Sequence, residues 1–404
     1  MVVAFLLAAV LLQQADPQAE GIKALEAKDY PAAVTAFTKA VETDPKDYSA
    51  HFHLGLAHSL AGSLPGSIAS YRKTLELKPG LYEAELNLGI VLLEAGQAAN
   101  AAGLLRAAAE KKPEEFRPNY YLADALLIAG DHAGAEKQFH AAVKLDGKSA
   151  PAYAGLGRAI AKQGRLKDAE GPMRQAASLD AGYRDGLLEL ASMHEQAKNP
   201  EAAIAIYGEF AGDAAVSERL GELYLQTGRP AEAISHLEQA VKSSPTGANR
   251  YALATAYLRN KETAKAGTMM EEALAAEPEN LDLRLSYAGL LRDQKNFPGA
   301  AQQYWRVAQS RPDSKAAWTG LATMLLSLEN FPQALAAFDK LEALGNPEPG
   351  LYFLRALAYD RTKQYKPALE SYEKFLSLSK DQHPDEEFKA RQRMRVIQKE
   401  LSRR

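Results

Sequence analysis

The chain contains no cysteine. That excludes disulfides, thiolate nucleophiles, cysteine-based zinc sites and a lipid-modified cysteine anchor. It is compatible with an oxidising compartment without requiring one. Charge of one sign is also missing: the net charge is −3 and the pI about 6.3. Such a balance argues against nucleic acid as the main partner. There is no apolar run long enough to span a bilayer, so no transmembrane segment is expected. The motifs of common catalytic sites are absent as well. No phosphate-binding loop, Gly-x-Ser-x-Gly elbow or His-Glu-x-x-His pair occurs. Gly155-Leu156-Gly157 lacks the third glycine of a dinucleotide loop and sits in a helical pattern.

Histidine offers one cluster, His51, His53 and His58. Residues seven apart share a helix face but lie about 10 Å apart. A single metal ion needs closer ligands, three or four residues apart on a helix. These positions hold apolar or aromatic residues elsewhere in the chain, so packing or groove roles are expected and no metal. No acidic pair is singled out by spacing, and the carboxylates read as solvated helix faces. No catalytic residue and no cofactor are therefore expected.

What is present is a repeat. In Tyr48–Pro79 a first run carries Leu54, Gly55 and His58 on one face, and a second carries Ile68, Tyr71 and Leu75. Gly62 sits just past the first run, where a helix end wants a residue without a β-carbon. Pro65 opens the second run and Pro79 closes it. Gly55 and Ser67 are small where the two helices would approach most closely, and Tyr71 would fill the space beside them.

That skeleton recurs in phase. The small residue opening each second helix falls at Ala33, Ser67, Ala101, Ala135, Ala169, Ala203, Ala233, Ala266, Ala300, Ala334 and Ala368. The intervals are 34 five times, then 30, 33 and 34 three times. A first-helix small residue tracks it at Gly21, Gly55, Gly89, Ala123, Gly157, Ala191, Gly221, Ala254, Ala288, Ala322 and Ala356. Four residues after the second-helix position comes a bulky one, such as Phe37, Leu105, Phe139, Met173, Leu237 or Tyr304. Chance does not hold that phase over eleven units.

The pattern resembles the tetratricopeptide repeat family, and the resemblance covers about nine-tenths of the chain. Departures are local. Pro17 and Glu20 replace bulky residues, so the first helix should be short. Arg355 replaces leucine in the eleventh unit. Gly147, Ala181, Asn346 and Lys380 replace the closing proline in four units. The resemblance implies an all-α, right-handed superhelix of antiparallel helix pairs whose first helices line a concave groove for peptides or protein surfaces. Some members clamp a partner's terminal carboxylate with lysine and asparagine. Phe52, Leu56, Leu86 and Ile90 stand at those places here, so that mode is not expected.

Residues 1–15 begin with an apolar run, MVVAFLLAAVLL. It has the length of a signal-peptide core, with Ala15 as a cleavage edge. The run lacks a basic start, and an extra apolar helix capping the first repeat is the alternative. Asp16-Pro17 reads as a helix cap, so the fold can begin there without the run. A periplasmic or secreted protein is expected on the first reading and a cytoplasmic one on the second. Residues 16–212 hold six units in unbroken phase, and residues 213–380 hold five more. Between them GEFAGDAAVSE (Gly208–Glu218) marks a bend or boundary near Gly212. A turn-rich link, Gly345–Gly350, precedes the last unit.

Residues 381–404 read as a final helix with a stripe of Ala390, Met394, Ile397 and Leu401. From Phe388 to Arg404 it carries a local charge of +6. A capping helix over the last repeat is the expectation, because solenoid ends need a cover. A basic arm for anionic lipid, nucleic acid or an acidic partner is the alternative.

The free face of each first helix falls three residues before and one after the small residue. This register gives Phe52 and Leu56, Leu86 and Ile90, Tyr120 and Asp124, Ala154 and Arg158. It continues with Leu188 and Ser192, Glu218 and Glu222, Tyr251 and Thr255. An apolar stretch followed by a charged one suits an amphipathic or extended peptide. The alternative for each residue is packing against a neighbouring helix. The expected function is a non-enzymatic interaction scaffold, or else a recruiting subunit of an envelope enzyme, secretion or polysaccharide assembly complex.

Overall fold

The computed structural model describes residues 16–345 and 348–403. The apolar N-terminal run, its Ala15 edge and Asn346 lie outside the described residues. The described chain is all-α, with no strand among its residues. Its helices are α1 (Pro17–Glu26), α2 (Tyr30–Thr43), α3 (Tyr48–Leu60), α4 (Leu64–Leu77), α5 (Tyr82–Glu94), α6 (Ala98–Lys111), α7 (Phe116–Ile128), α8 (His132–Leu145), α9 (Ala150–Lys162), α10 (Leu166–Leu179), α11 (Asp185–Gln196) and α12 (Pro200–Tyr207). They continue as α13 (Ala214–Gln226), α14 (Pro230–Ser243), α15 (Gly247–Arg259), α16 (Thr263–Ala276), α17 (Leu281–Asp293), α18 (Phe297–Ser310), α19 (Lys315–Ser327), α20 (Phe331–Ala343), α21 (Pro349–Arg361), α22 (Tyr365–Ser379) and α23 (Pro384–Leu401). Odd and even helices pair through the repeats as an α-solenoid. The described chain forms two compact bodies, divided between Ile206 and Tyr207.

Each pair closes as the spacing predicts. A β-carbon built at Gly21 would meet the Phe37 ring at 2.6 Å, one at Gly55 the Tyr71 ring at 2.8 Å, and one at Gly89 Leu105 at 2.5 Å. The bulky residues so seated are fully buried. Ser67 adds a bond across its pair, donating through Oγ to the Gly55 carbonyl at 2.8 Å. The bulky residue also serves the following repeat. A β-carbon at Gly155 on α9 would overlap Phe139 of the preceding α8, and one at Gly320 on α19 would overlap Tyr304 of the preceding α18. Phe139 and Tyr304 thus sit sixteen residues after one partner position and sixteen before the next. Gly155, read in the sequence only as a failed nucleotide loop, is one of these contacts.

The turn within each repeat ends its first helix in the left-handed region. At Gly62 φ is +76°, and Ser63 N–H reaches back to the His58 carbonyl at 2.8 Å, so the last carbonyls of α3 are satisfied. Glycine fills this place in five repeats, but lysine does so at Lys28, Lys198, Lys261, Lys295 and Lys363, and glutamate at Glu329. The αL position follows from the repeat geometry even where the residue is not glycine.

The N-terminal expectation holds from Asp16 onward. Its carboxylate accepts from Gln18 N–H at 3.0 Å, Pro17 opens α1, and α1 is shorter than α3. In the second body α23 covers the last repeat. Ala390 and Ile397 are fully buried, and Met394 and Leu401 pack beside them with Tyr372 and Phe375. Buried Glu387 pins this cap. It accepts from Ser379 Oγ at 2.5 Å, Asp381 N–H at 2.8 Å and Arg391 at 2.8 Å. These donors hold its carboxyl below the usual carboxylate range, the serine bond most of all. Arg393 adds a two-pronged bridge to Asp360 on α21, at 2.6 and 2.8 Å. Arg355, at its unusual place, bridges Asp339 and Glu342 of α20.

Candidate functional site

In the first body the residues of the expected register fall on α3, α5, α7, α9 and α11. Leu56, Ile90, Leu188 and Ser192 are half-buried and offer surface. Phe52 and Tyr120 do so less freely. The Phe52 ring packs on Tyr71 with centroids 5.6 Å apart, and Tyr120 packs edge-on against Phe139 at 6.1 Å and stacks on Phe116 at 5.4 Å. Each is a first-helix aromatic leaning on the bulky residue of its own repeat, nineteen positions on. Leu86 is 5% exposed and Ala154 8%. Both are buried and fit the packing alternative, Ala154 showing only a small surface at the edge of a cleft.

The register becomes polar at α7 and α9. Asp124 is half-buried, and among the described residues it has no hydrogen-bond donor. Burial pushes its carboxyl above the ordinary carboxylate range, and the charge of Arg158 offsets this only in part. Burial, with Asp124 next, pushes the Tyr120 hydroxyl up to about 12. Arg158 is exposed, with Nε 3.8 Å from Glu189 on α11. Arg158 and Ala154 share a small cleft with Met173, Tyr183 and Asp185. Tyr183 belongs to the 3-10 turn Ala181–Tyr183, which departs from the repeat, so no register could have found it.

In the second body Glu222 pairs with Arg219 at 2.6 Å, Glu218 is half-buried, and the exposed Tyr251 reaches Ser286 at 3.2 Å. A larger cleft opens further on, of about 780 Å³, lined by Leu285, Thr319, Thr323 and Met324 with Arg292, Lys315 and Glu348 at its margin. Leu285, Thr319 and Thr323 lie in the groove register of repeats nine and ten. They lie beyond Tyr251 and Thr255, the last positions named from the sequence, although the same spacing reaches them.

The histidine cluster does not assemble. His51 bonds the Pro45 carbonyl at 3.1 Å, His53 stacks on Phe37 at 5.4 Å, and His58 lies against Gly66 on α4. Among the described residues no group of three His, Asp or Glu could hold a metal ion. None of the described helices is long and apolar enough to cross a membrane.

Comparison with known proteins follows the repeat. Models described as tetratricopeptide repeat match residues 19–82, 86–150, 129–184 and 301–349, residues 257–322, and residues 214–246 and 349–382. The type IV pilus assembly protein PilF of Pseudomonas aeruginosa is 27% identical over 160 residues, 39% of this chain and 64% of that protein. The BBSome complex member BBS4 homolog of Drosophila melanogaster is 23% identical over 265 residues, 61% of this chain and 54% of that protein. The chain thus spans less than two thirds of either relative. Among solved structures, MamA from Desulfovibrio magneticus is 20% identical with a TM-score of 0.39, over 41% of this chain and 94% of that one. YrrB, a tetratricopeptide repeat protein with an unusual peptide-binding site, is 23% identical with a TM-score of 0.39, over 44% of this chain and 91% of that one. The first model alone covers more than half of the residues in the phase derived above, and the chain belongs to the tetratricopeptide repeat family.

Proposed function

We propose that the chain is a non-enzymatic scaffold that holds a peptide or protein segment along the first-helix face. The observation that carries this reading is the partly exposed Leu56, Ile90 and Leu188 together with the half-buried Asp124 and the exposed Arg158. Apolar side chains of a bound segment would cover the aliphatic part, and a donor on it would add to the partial compensation that Arg158 gives Asp124. Glu218, Glu222 and Tyr251 offer a separate, more polar surface in the second body.

The test is crosslinked capture from the native host with wild type and with Leu56→Glu/Ile90→Glu/Arg158→Glu. Leu56 and Ile90 are only partly buried and Arg158 is exposed, so the variant should fold, which circular dichroism checks. Replacing Phe52, Leu86 or Tyr120 would confound the test, because each supports the packing of its repeat. A partner captured by wild type and lost by the variant supports the groove. The same partners with both proteins would place binding elsewhere.

A second reading makes the chain a recruiting subunit of an envelope assembly or secretion complex. The similarity to a pilus assembly protein favours it, as does the signal-like run at residues 1–15. It implies a periplasmic or secreted location. Purification in a fixed-stoichiometry complex supports this reading, and purification alone supports the simple scaffold.

A further inference from the structure

The cap helix has a second face. Its buried stripe, Ala390, Met394, Ile397 and Leu401, points into the last repeat. With 3.6 residues per turn, the opposite side carries Phe388, Gln392, Arg395, Val396 and Lys399, with Lys389 at its edge. Phe388 is 63% exposed and Val396 44%, the largest apolar exposure on this helix. Of its cations, Arg391 and Arg393 are committed to Glu387 and Asp360. Lys389, Arg395, Lys399 and Arg403 have no ion pair among the described residues and are exposed. The acids Asp385 and Glu386 sit in the first turn, where they complement the helix dipole, and Glu400 is half-buried to one side. After Asp385, which shares this side in the first turn, the outward face from Phe388 to Lys399 holds cations, apolar groups and Gln392 and no further carboxylate.

We propose that this outward face of α23 docks the protein on an anionic lipid surface, with Phe388 and Val396 entering the headgroup boundary and Lys389, Arg395 and Lys399 lying against lipid phosphates. Interleaved cations and apolar side chains on one helix face are what an in-plane amphipathic helix presents to a bilayer. A nucleic acid backbone would use the cations but would gain nothing from an exposed phenylalanine and valine. The net negative charge of the rest of the chain does not cancel the attraction, because charges more than about 8–10 Å away are screened at physiological salt. The cap's own packing does not compete, since the stripe that holds it lies on the other side.

The experiment is co-sedimentation of the full chain with vesicles of phosphatidylcholine alone or mixed with phosphatidylglycerol. The proteins are wild type, Arg395→Glu/Lys399→Glu and Phe388→Ser. These residues are exposed, and the cations are unpaired, so melting by circular dichroism should be unchanged in all three. The expected result is binding that needs phosphatidylglycerol, weakens with salt, falls more than about tenfold in the charge variant and about fivefold or more in Phe388→Ser. Binding equal on both vesicle types, or equal in the variants and wild type, overturns the proposal. So does binding to a DNA duplex lost in the charge variant without binding to either vesicle, which would make the face a phosphate-backbone site.

Discussion

The Phe139 ring fills the place that a side chain at Gly155 would need, although the two residues belong to successive repeats. Phe139 is 1% exposed, so it cannot swing aside. In a helix interior Gly→Ala usually stabilises by about 0.5–1 kcal/mol. Here overpacking, typically about 1–3 kcal/mol, outweighs that gain. Gly155→Ala should therefore lower the thermal midpoint. Gly103, inside α6, has nothing within 4 Å of a built β-carbon. Gly103→Ala should raise the midpoint, and equal shifts in both variants would sink the contact scheme.

The turn position makes a paired prediction. Gly130 has φ +87° with open space around it, and Lys295 has φ +62° at the same place in another repeat. An L side chain in the left-handed region costs about 1–2 kcal/mol. Gly130→Ala should cost about that much. Lys295→Gly should be neutral or gain up to about 1 kcal/mol, since part of the relief is offset by unfolded-chain entropy. Urea melts of the two variants measure this directly.

Glu387 should confer acid sensitivity on the cap. Its folded carboxyl titrates below its unfolded value, so its contribution is complete above the ordinary carboxylate range and is lost as pH falls toward the folded value. Glu387→Gln should destabilise the chain at neutral pH, and the gap to wild type should narrow on acidification. Thermal melts at neutral and acidic pH would show it. A gap that widens at low pH would contradict the assignment.

Asp124 has the opposite sign. Its folded carboxyl is raised, so the folded state holds the proton more tightly and stability falls as pH rises through the range between the unfolded and folded values. Asp124→Asn should be more stable than wild type at neutral pH, with the advantage fading below the ordinary carboxylate range. The same variant should lose affinity for the captured partner if a donor on that partner uses the carboxylate.

Much of this architecture was legible in the sequence because the repeat states each close contact eleven times. Gly55 with Tyr71 and Gly89 with Leu105 follow from spacing alone, and so does the buried stripe of α23. The site was less legible, since whether Leu86 is wall or surface depends on how neighbouring first helices crowd it. Register fixes direction but not depth. Lys28 and Lys295 hid the αL position because sequence rules look for glycine there, whereas the bond pattern of the turn imposes it on whatever residue occupies the place. Tyr183 was hidden for a different reason: it sits where the chain leaves the repeat.

The double duty of residues such as Phe139 and Tyr304 has a consequence for how this chain can change length. Half of each one's socket is built by its own repeat and half by the next, so a cut at any loop leaves one open half-socket. Whole multiples of the repeat can be gained or lost with every internal socket still closed. A fractional insertion within a helix pair would misalign all the sockets after it. Growth by duplication is thus quantised, and the last socket, around Tyr372 and Phe375, needs a stopper unlike the repeats, which is the place α23 takes.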